Sequence, residues 1–452
     1  MGNARARRIP AQLVEDEEYQ LRHERVAGID IAKASAVVCT RLPPVREGGR
    51  RAGRVEDVTA TVPEVAALAG RLLADGVQSV VMESTSDYWR IWYYVLEAHG
   101  LNVMLANSSQ ARQLAGRPKT DRLDAQWLAR LAEMGLLRPS FVPPAEIRAL
   151  REYTRGRLHL VHDRTRAWQR LEKLLEGALV KLTSVTSVKT KTARLIITAM
   201  IAGQRDPRAL AGLAEGSLRG KQRDLAQALT GMMFTDCHAH MAKTLLGLIA
   251  YLDEDISILE GRIAACLEAI PAARGVDADG AASGAPGPGA AVLPAAERLA
   301  EIPGVSLDLA RSIIAEVGLD MTRFRTAAHL VSWAGLAPVA SQSGPRSRKP
   351  KKGHGDSYLR GFCTQAANGA GQTDTFLGER LRRIARRRGG ARARCAVGRS
   401  ILIIIWHLLA SPEARYTDLG PGWHQRTADR DRKIRNHLRQ LEALGLQVTI
   451  TA

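Results

Sequence analysis

The chain has 452 residues, with 65 Lys and Arg against 46 Asp and Glu, a net charge of +19 and a pI near 10.2. At ~150 residues per domain that length suggests about three domains, and a composition 45% apolar and 25% charged excludes a disordered chain. The charge points to nucleic acid as partner, no apolar run reaches the ~20 residues of a membrane span, and five scattered cysteines give no disulfide framework or CxxC zinc pair.

Residues 1–24 are polar, charged and without period, and are expected as a flexible arm. The opening MGNARARRIP is not followed by the apolar stretch of a signal peptide, so a cytoplasmic location is expected. Residues 25–143 read as an α/β domain. Val26 to Ile31, Ser35 to Arg41 and Arg54 to Ala60 have the pattern of strands, with a Pro, Gly and Arg-rich loop before the third. Val62 to Leu73 has helical spacing. Gln78 to Met82 is a short apolar strand ending at Glu83. Trp89 to His99 reads as helix, Leu101 to Leu105 as strand, and a helix starts near Thr120. A meander followed by alternating strands and helices predicts a mixed sheet.

Residues 144–270 are mostly helical. Leu245, Ile249, Leu252, Ile256, Leu259, Ile263, Cys266 and Ile270 alternate four and three apart, the seam of a coiled coil. Ile147, Thr154, Val161, Trp168 and Leu175 recur seven apart. Two such helices can pair within one chain or across a dimer. Residues 271–296 are Ala, Gly and Pro, a flexible linker. Residues 297–410 begin with helix, a tight turn Ile302-Pro303-Gly304-Val305, and helix, similar to a helix–hairpin–helix element, with Ser306 where a second Gly is usual. Residues 411–452 form a tail with one charged helix, about Ala428 to Leu444, stopped by Gly445, and a short strand QVTIT after it.

Four carboxylates stand out. Asp30 interrupts the apolar strand GIDIA, where a carboxylate is costly without a partner or a cation. Glu83 closes VVMES. Asp121 and Asp124 share one face of a helix start in KTDRLDA. Taken alone, that pair fits a helix cap and dipole complement. Taken together, the four can converge at one sheet edge around divalent cations, for which oxygen ligands suit Mg2+ or Mn2+. Two such ions ~4 Å apart can clamp a scissile phosphate.

From Ser343 to Arg399 the chain carries fifteen Lys and Arg against three acids. That density favours phosphate contact over a merely solvated face, with Arg346, Arg348, Lys349, Lys351, Lys352, Arg382, Arg383, Arg386 and Arg387 as the candidate nucleic-acid ligands. Ser343 heads the stretch; by its spacing in S-Q-S-G-P it reads first as a loop serine, and as a nucleophile only if neighbouring cations and a metal-bound phosphate activate it. Cys237-His238-Ala239-His240 lacks a second ligand pair and reads as helix surface. Tyr88 and Trp89 are expected in the core, and His354 in a loop.

The order GIDIAK, VMEST, KTDRLDA, a long helical middle, IPGV and GLAPVASQSG resembles the DEDD-type transposases of the insertion-sequence "one-ten" family, which are related to Piv-type DNA invertases. The resemblance runs over residues 25–410. It implies a RuvC-like, RNase H-type fold for 25–143, a dimerising coiled coil in 144–270 and a mainly α transposase domain in 297–410. It further implies Asp30, Glu83, Asp121 and Asp124 as a metal-binding tetrad and Ser343 as a nucleophile forming a covalent phosphoserine. The implied partners are donor and target DNA, an element-encoded bridge RNA and further copies of the chain, as a dimer or dimer of dimers, with no membrane, in the bacterial nucleoid. A RuvC-like junction resolvase using water, and a catalytically silent nucleic-acid scaffold, are the competing functions.

Overall fold

A computed structural model describes residues 21–44, 51–83, 86–106, 120–276, 292–337, 342–343, 346–347, 355–423 and 430–446. Two compact units divide the chain, residues 1–142 and 143–452.

The first unit is built on a five-stranded sheet in the order β3-β2-β1-β4-β5. The strands are β1 Val26–Ile31, β2 Ser35–Leu42, β3 Ala52–Thr59, β4 Ser79–Glu83 and β5 Val103–Ala106. β1, β2 and β3 form an antiparallel meander, and β4 and β5 extend it in parallel. Side chains alternate across the pleat. Ala27, Ile29 and Ile31 join Val80 and Met82 in a core under helices α1 (Val62–Ala74) and α2 (Trp89–Ala98). Val26 and Val81 join the opposite core with Ala125, Leu128 and Ala129 of helix α3 (Asp121–Glu133). The strands expected from period-two patterning are therefore present, with apolar residues on both faces because helices cover both. Trp89 packs half-buried against the core as expected. Tyr88, expected beside it, is 38% exposed, at the N-cap position before the first turn of α2.

The second unit is helical. Helices α4 (Ala145–Gly177) and α8 (Asp236–Ala269) lie antiparallel, with Arg157 paired to Glu260 and Arg164 to Asp253. The seam residues Leu245, Ile249, Leu252, Ile256 and Ile263 are buried against α4 of the same chain. At the far end of this pair, helices α5 (Lys191–Ile201), α6 (Pro207–Gly212) and α7 (Gln222–Leu229) close a separate core around Trp168, Ile196, Ile197 and Leu225. Two short helices, α9 (Pro271–Arg274) and α10 (Ala295–Ala300), occupy the ends of the Ala, Gly and Pro stretch, whose residues 277–291 lie outside the described ones.

Next come α11 (Leu307–Val317), α12 (Ala327–Trp333), α13 (Ser357–Gly371), α14 (Phe376–Arg388) and α15 (Gly390–Ala410). The longest apolar run of the sequence, Ser400 to Ala410, lies in α15, a 21-residue helix long and apolar enough to cross a membrane. Here it is the central helix of a bundle, packed on α10, α12, α13 and α14 with Val397, Ile401, Leu402 and Ile405 buried. Helix α16 (Arg430–Ala443) ends at Gly445, whose φ of +80° gives the expected stop. The residues of QVTIT lie outside the described ones.

The turn at Ile302–Val305 does join two helices. Ile302 and Val305 are buried, and Ser306 caps α11 by accepting from the Leu309 N–H. Gly304, at φ +86°, lies so close to α13 that a Cβ would stand 2.2 Å from the Ala366 carbonyl oxygen. Close packing on α13 is thus a sufficient reason for this glycine.

Candidate active site and nucleic-acid interface

Position in the first unit follows from strand register. β1 and β4 pair in parallel up to Ile29 with Met82. Asp30 and Glu83 are the next residues on each strand, so they sit side by side at the carboxyl ends of neighbouring strands. Alternation puts both on the face covered by α3. Asp30 is partly exposed and Glu83 is 3% exposed.

Helix α3 runs antiparallel to β1. Its last residue, Glu133, accepts from the backbone N–H of Arg22, just before β1. Its middle lies over Gly28, where a Cβ would stand 2.4 Å from the Ala125 carbonyl oxygen and the Ala129 nitrogen. Its first turn therefore reaches the end of the sheet where Asp30 and Glu83 lie. That turn carries Asp121 and Asp124, after Thr120, whose side chain caps it by accepting from the Leu123 N–H at 3.4 Å. Both acids extend the sheet-facing stripe of Ala125, Leu128 and Ala129 by one turn. Arg122 instead reaches Asp57 on β3 at 2.7 Å.

All four predicted carboxylates are thus brought to one end of one sheet. Among the described residues, no three Asp, Glu, His or Cys side chains are gathered closely enough to hold one ion. The donor set is all carboxylate oxygen, which fits a hard divalent cation. Glu133, at the opposite end of α3, is buried to 4% exposure and paired with Arg41 at 2.8 Å and Arg51 at 3.0 Å.

In the second unit, Ser343 ends strand β6 (Gln342–Ser343), which pairs antiparallel with β7 (Arg346–Ser347). Ser343 and Arg346 share a rung of that ladder. Arg348, Lys349, Lys351, Lys352 and His354 lie outside the described residues. The segment returns at Gly355, where a Cβ would stand 2.4 Å from the Ala334 carbonyl carbon and the Gly335 nitrogen. The chain leaving α12 and the chain entering α13 are therefore in contact at the base of the serine-bearing loop.

Below that base lies a cluster that sequence reading missed. Glu316, fully buried in α11, receives two hydrogen bonds from Arg155, both at 2.8 Å. Arg155 also reaches Asp356 at 3.4 Å and lies 4.2 Å over the Tyr358 ring. Asp356 caps α13 by accepting from the Leu359 N–H. Burial opposes the charge on Arg155, but its hydrogen bonds to Glu316 together with the charges of Glu316 and Asp356 and the nearby Tyr358 hold its pKa above the ordinary guanidinium value. The signal was available: Glu316 sits in the apolar run IIAEV as Asp30 does in GIDIA.

The candidate cations differ in role. Arg382 turns inward and donates to the carbonyls of Gly371 at 3.2 Å and Thr373 at 2.9 Å, closing the end of α13. Arg383 pairs with Glu379 at 3.3 Å. Arg386 and Arg387 are exposed at the end of α14. His238 completes a capping box with Thr235 at the start of α8, and Cys237 is exposed. Burial pushes the Cys39 thiol up to about 11 and the Cys363 thiol up to about 12, so both stay protonated.

Two family models match the chain. Residues 27–180 match a model of the IS110 DEDD transposases, described as "Transposase", and residues 296–375 match one described as "Transposase IS116/IS110/IS902 family". Between them they span slightly more than half of the chain. Among solved structures, Thermus thermophilus RuvC is 16% identical, with a TM-score of 0.20, over 26% of this chain and 99% of its own. The same organism's RuvC in complex with a Holliday junction substrate is 15% identical, with a TM-score of 0.21, over 26% of this chain and 100% of its own. No curated protein matches the chain.

Proposed function

The chain belongs to the IS110 family of DEDD transposases, enzymes that cut and rejoin DNA, and from that premise we propose that it recombines a mobile element by serine attack assisted by divalent metal. In this reading the first unit is RuvC-like, of RNase H type. Asp30, Glu83, Asp121 and Asp124 hold Mg2+, with Mn2+ as a substitute. A bound divalent ion supplies Lewis-acid stabilisation of charge on the phosphate. The observation that carries the reading is the placement of Asp30 and Glu83 on adjacent strand ends beneath the first turn of α3.

Ser343 supplies the nucleophile. Its oxygen bonds to the scissile phosphorus as the phosphorus–oxygen bond to one strand end breaks, and the serine proton passes to the departing oxygen through solvent. The product is a phosphoserine linking protein and DNA. A hydroxyl at another strand end then attacks that phosphorus, the serine leaves, and the phosphodiester is restored without loss to hydrolysis. Arg346, on the same rung as Ser343, and the neighbouring Arg348, Lys349, Lys351 and Lys352 neutralise phosphate there. Donor and target DNA are chosen through a bridge RNA from the element, a reading that rests on the family resemblance and that the basic charge accommodates.

Recombination of this kind joins several protomers. The inner seam of α8 is occupied by α4, but Met241, Leu248, Tyr251 and Ile258, spaced seven, three and seven, are 40–60% exposed on its outer side. That spacing supports a second helix seam and a homo-oligomer.

The test is to incubate the full chain with DNA bearing the element ends, its guide RNA and Mg2+, then denature. A protein–DNA adduct that disappears in Ser343→Ala is expected. Strand cleavage with no adduct in the wild type would favour a water-using resolvase and remove the serine mechanism.

A further inference from the structure

Helices α14 and α15 carry nine arginines and one acid, Glu379. Only Gly389, at φ +83°, separates the two helices, and they pack along each other. Arg380 lies nine residues before this turn and Arg399 ten after it. At 1.5 Å per residue both are about 14 Å from the turn, facing across the pair. Arg383 is one turn from Arg380 on the same face.

Arg380 and Arg383 differ from an ordinary run of surface charge, and the exposed Arg399 adds its charge to theirs. Arg380 and Arg383 are half-buried. The Nε groups of both, and one carboxylate oxygen of Glu379, are buried with no hydrogen-bond partner among the described residues. Neither Arg380 nor Arg399 has an ion pair or hydrogen bond among those residues. Burial lowers the pKa of Arg380, Arg383 and Arg399 lower it further, and only Glu379 opposes them. Packing like charges together and stripping donors of water is destabilising unless an anion compensates. Elsewhere in this unit a half-buried arginine is neutralised one to one, as Arg155 is by Glu316; here, among the described residues, the single acid Glu379 is paired with Arg383, and Arg380 and Arg399 are left without an acid of their own.

We propose that Arg380, Arg383 and Arg399 form a seat for the backbone phosphates of duplex DNA, lying across the α14–α15 pair. Guanidinium groups suit phosphate through paired N–H donors, and such contacts position a duplex without reading its sequence. DNA is the polymer concerned because it is what this family cuts and rejoins. The seat rests on that activity and not on the serine mechanism, so its test is made without cleavage.

The experiment uses the full chain carrying Ser343→Ala, a DNA duplex of about 20 base pairs of arbitrary sequence, and the added variants Arg380→Gln and Arg399→Gln. Affinity should fall severalfold in each, and the slope of log affinity against log salt should become shallower by about 0.9 for each phosphate no longer neutralised. The melting temperature of the free protein should hold or rise, since repulsion is relieved. An unchanged affinity and salt slope overturns the seat. So does a fall in melting temperature, which would make these arginines structural, or a weakening confined to an RNA hairpin of the same length.

Discussion

A methyl group at Gly28 would collide with the backbone of α3 at two atoms. Backbone cannot move aside as a flexible side chain can, so Gly28→Ala should cost about 1–3 kcal/mol by urea denaturation. It should also lift the first turn of α3 from β1. Strand transfer should therefore fall more than DNA affinity does; equal falls would show that the glycine serves only stability. Gly304 makes the same kind of contact with α13. At this scale Gly28 was legible as a residue out of place in an apolar strand. The inward turn of Arg382 was not, because within its run of arginines nothing local distinguishes it from Arg386 or Arg387.

Among the elements, α11 and α13 are tied to α4 through Arg155, which meets Glu316 of α11 and Asp356 and Tyr358 at the start of α13. Arg151 donates to the carbonyls of Ala315 at 2.9 Å and Glu316 at 2.6 Å, while Arg155 holds the Glu316 side chain. Removing one partner of a buried ion pair leaves the other charge uncompensated, which costs roughly 3–5 kcal/mol. Glu316→Ala should lose that much in chemical denaturation, and Glu316→Leu with Arg155→Met should recover most of it. A loss below about 1 kcal/mol in Glu316→Ala would mean that Arg155 is solvated and the cluster adds little to stability. Helix and strand positions were readable from periodicity. The helix pairing left open by the seam of α8 is resolved by Arg157 with Glu260 and Arg164 with Asp253, which lie within one chain.

Across the whole molecule the charge is unevenly divided. Residues 1–142 carry a net +2 and residues 143–452 a net +17. The acids proposed to hold metal thus belong to the nearly neutral unit, and the cations proposed to meet phosphate belong to the other. Asp30→Ala, Glu83→Ala and Asp124→Ala should each abolish strand transfer while leaving DNA affinity, measured at one fixed salt concentration, within about twofold. Full activity in any of the three would remove that residue from the site. Neutral substitutions in the basic unit should do the reverse, weakening binding first and transfer only in proportion.

Sequence alone determined the strands of the sheet, the long helices, the four carboxylates and the excess of positive charge. Each of these is a property of neighbouring residues: alternation, heptad spacing, or a charge inside an apolar run. Tertiary structure decided which of them meet. Asp30 and Glu83 become neighbours only because β1 and β4 pair in parallel across some fifty residues of chain, and the first turn of α3 reaches their end of the sheet only because Gly28 admits that helix. Long-range pairing depends on which surfaces cover one another, and no local pattern records it.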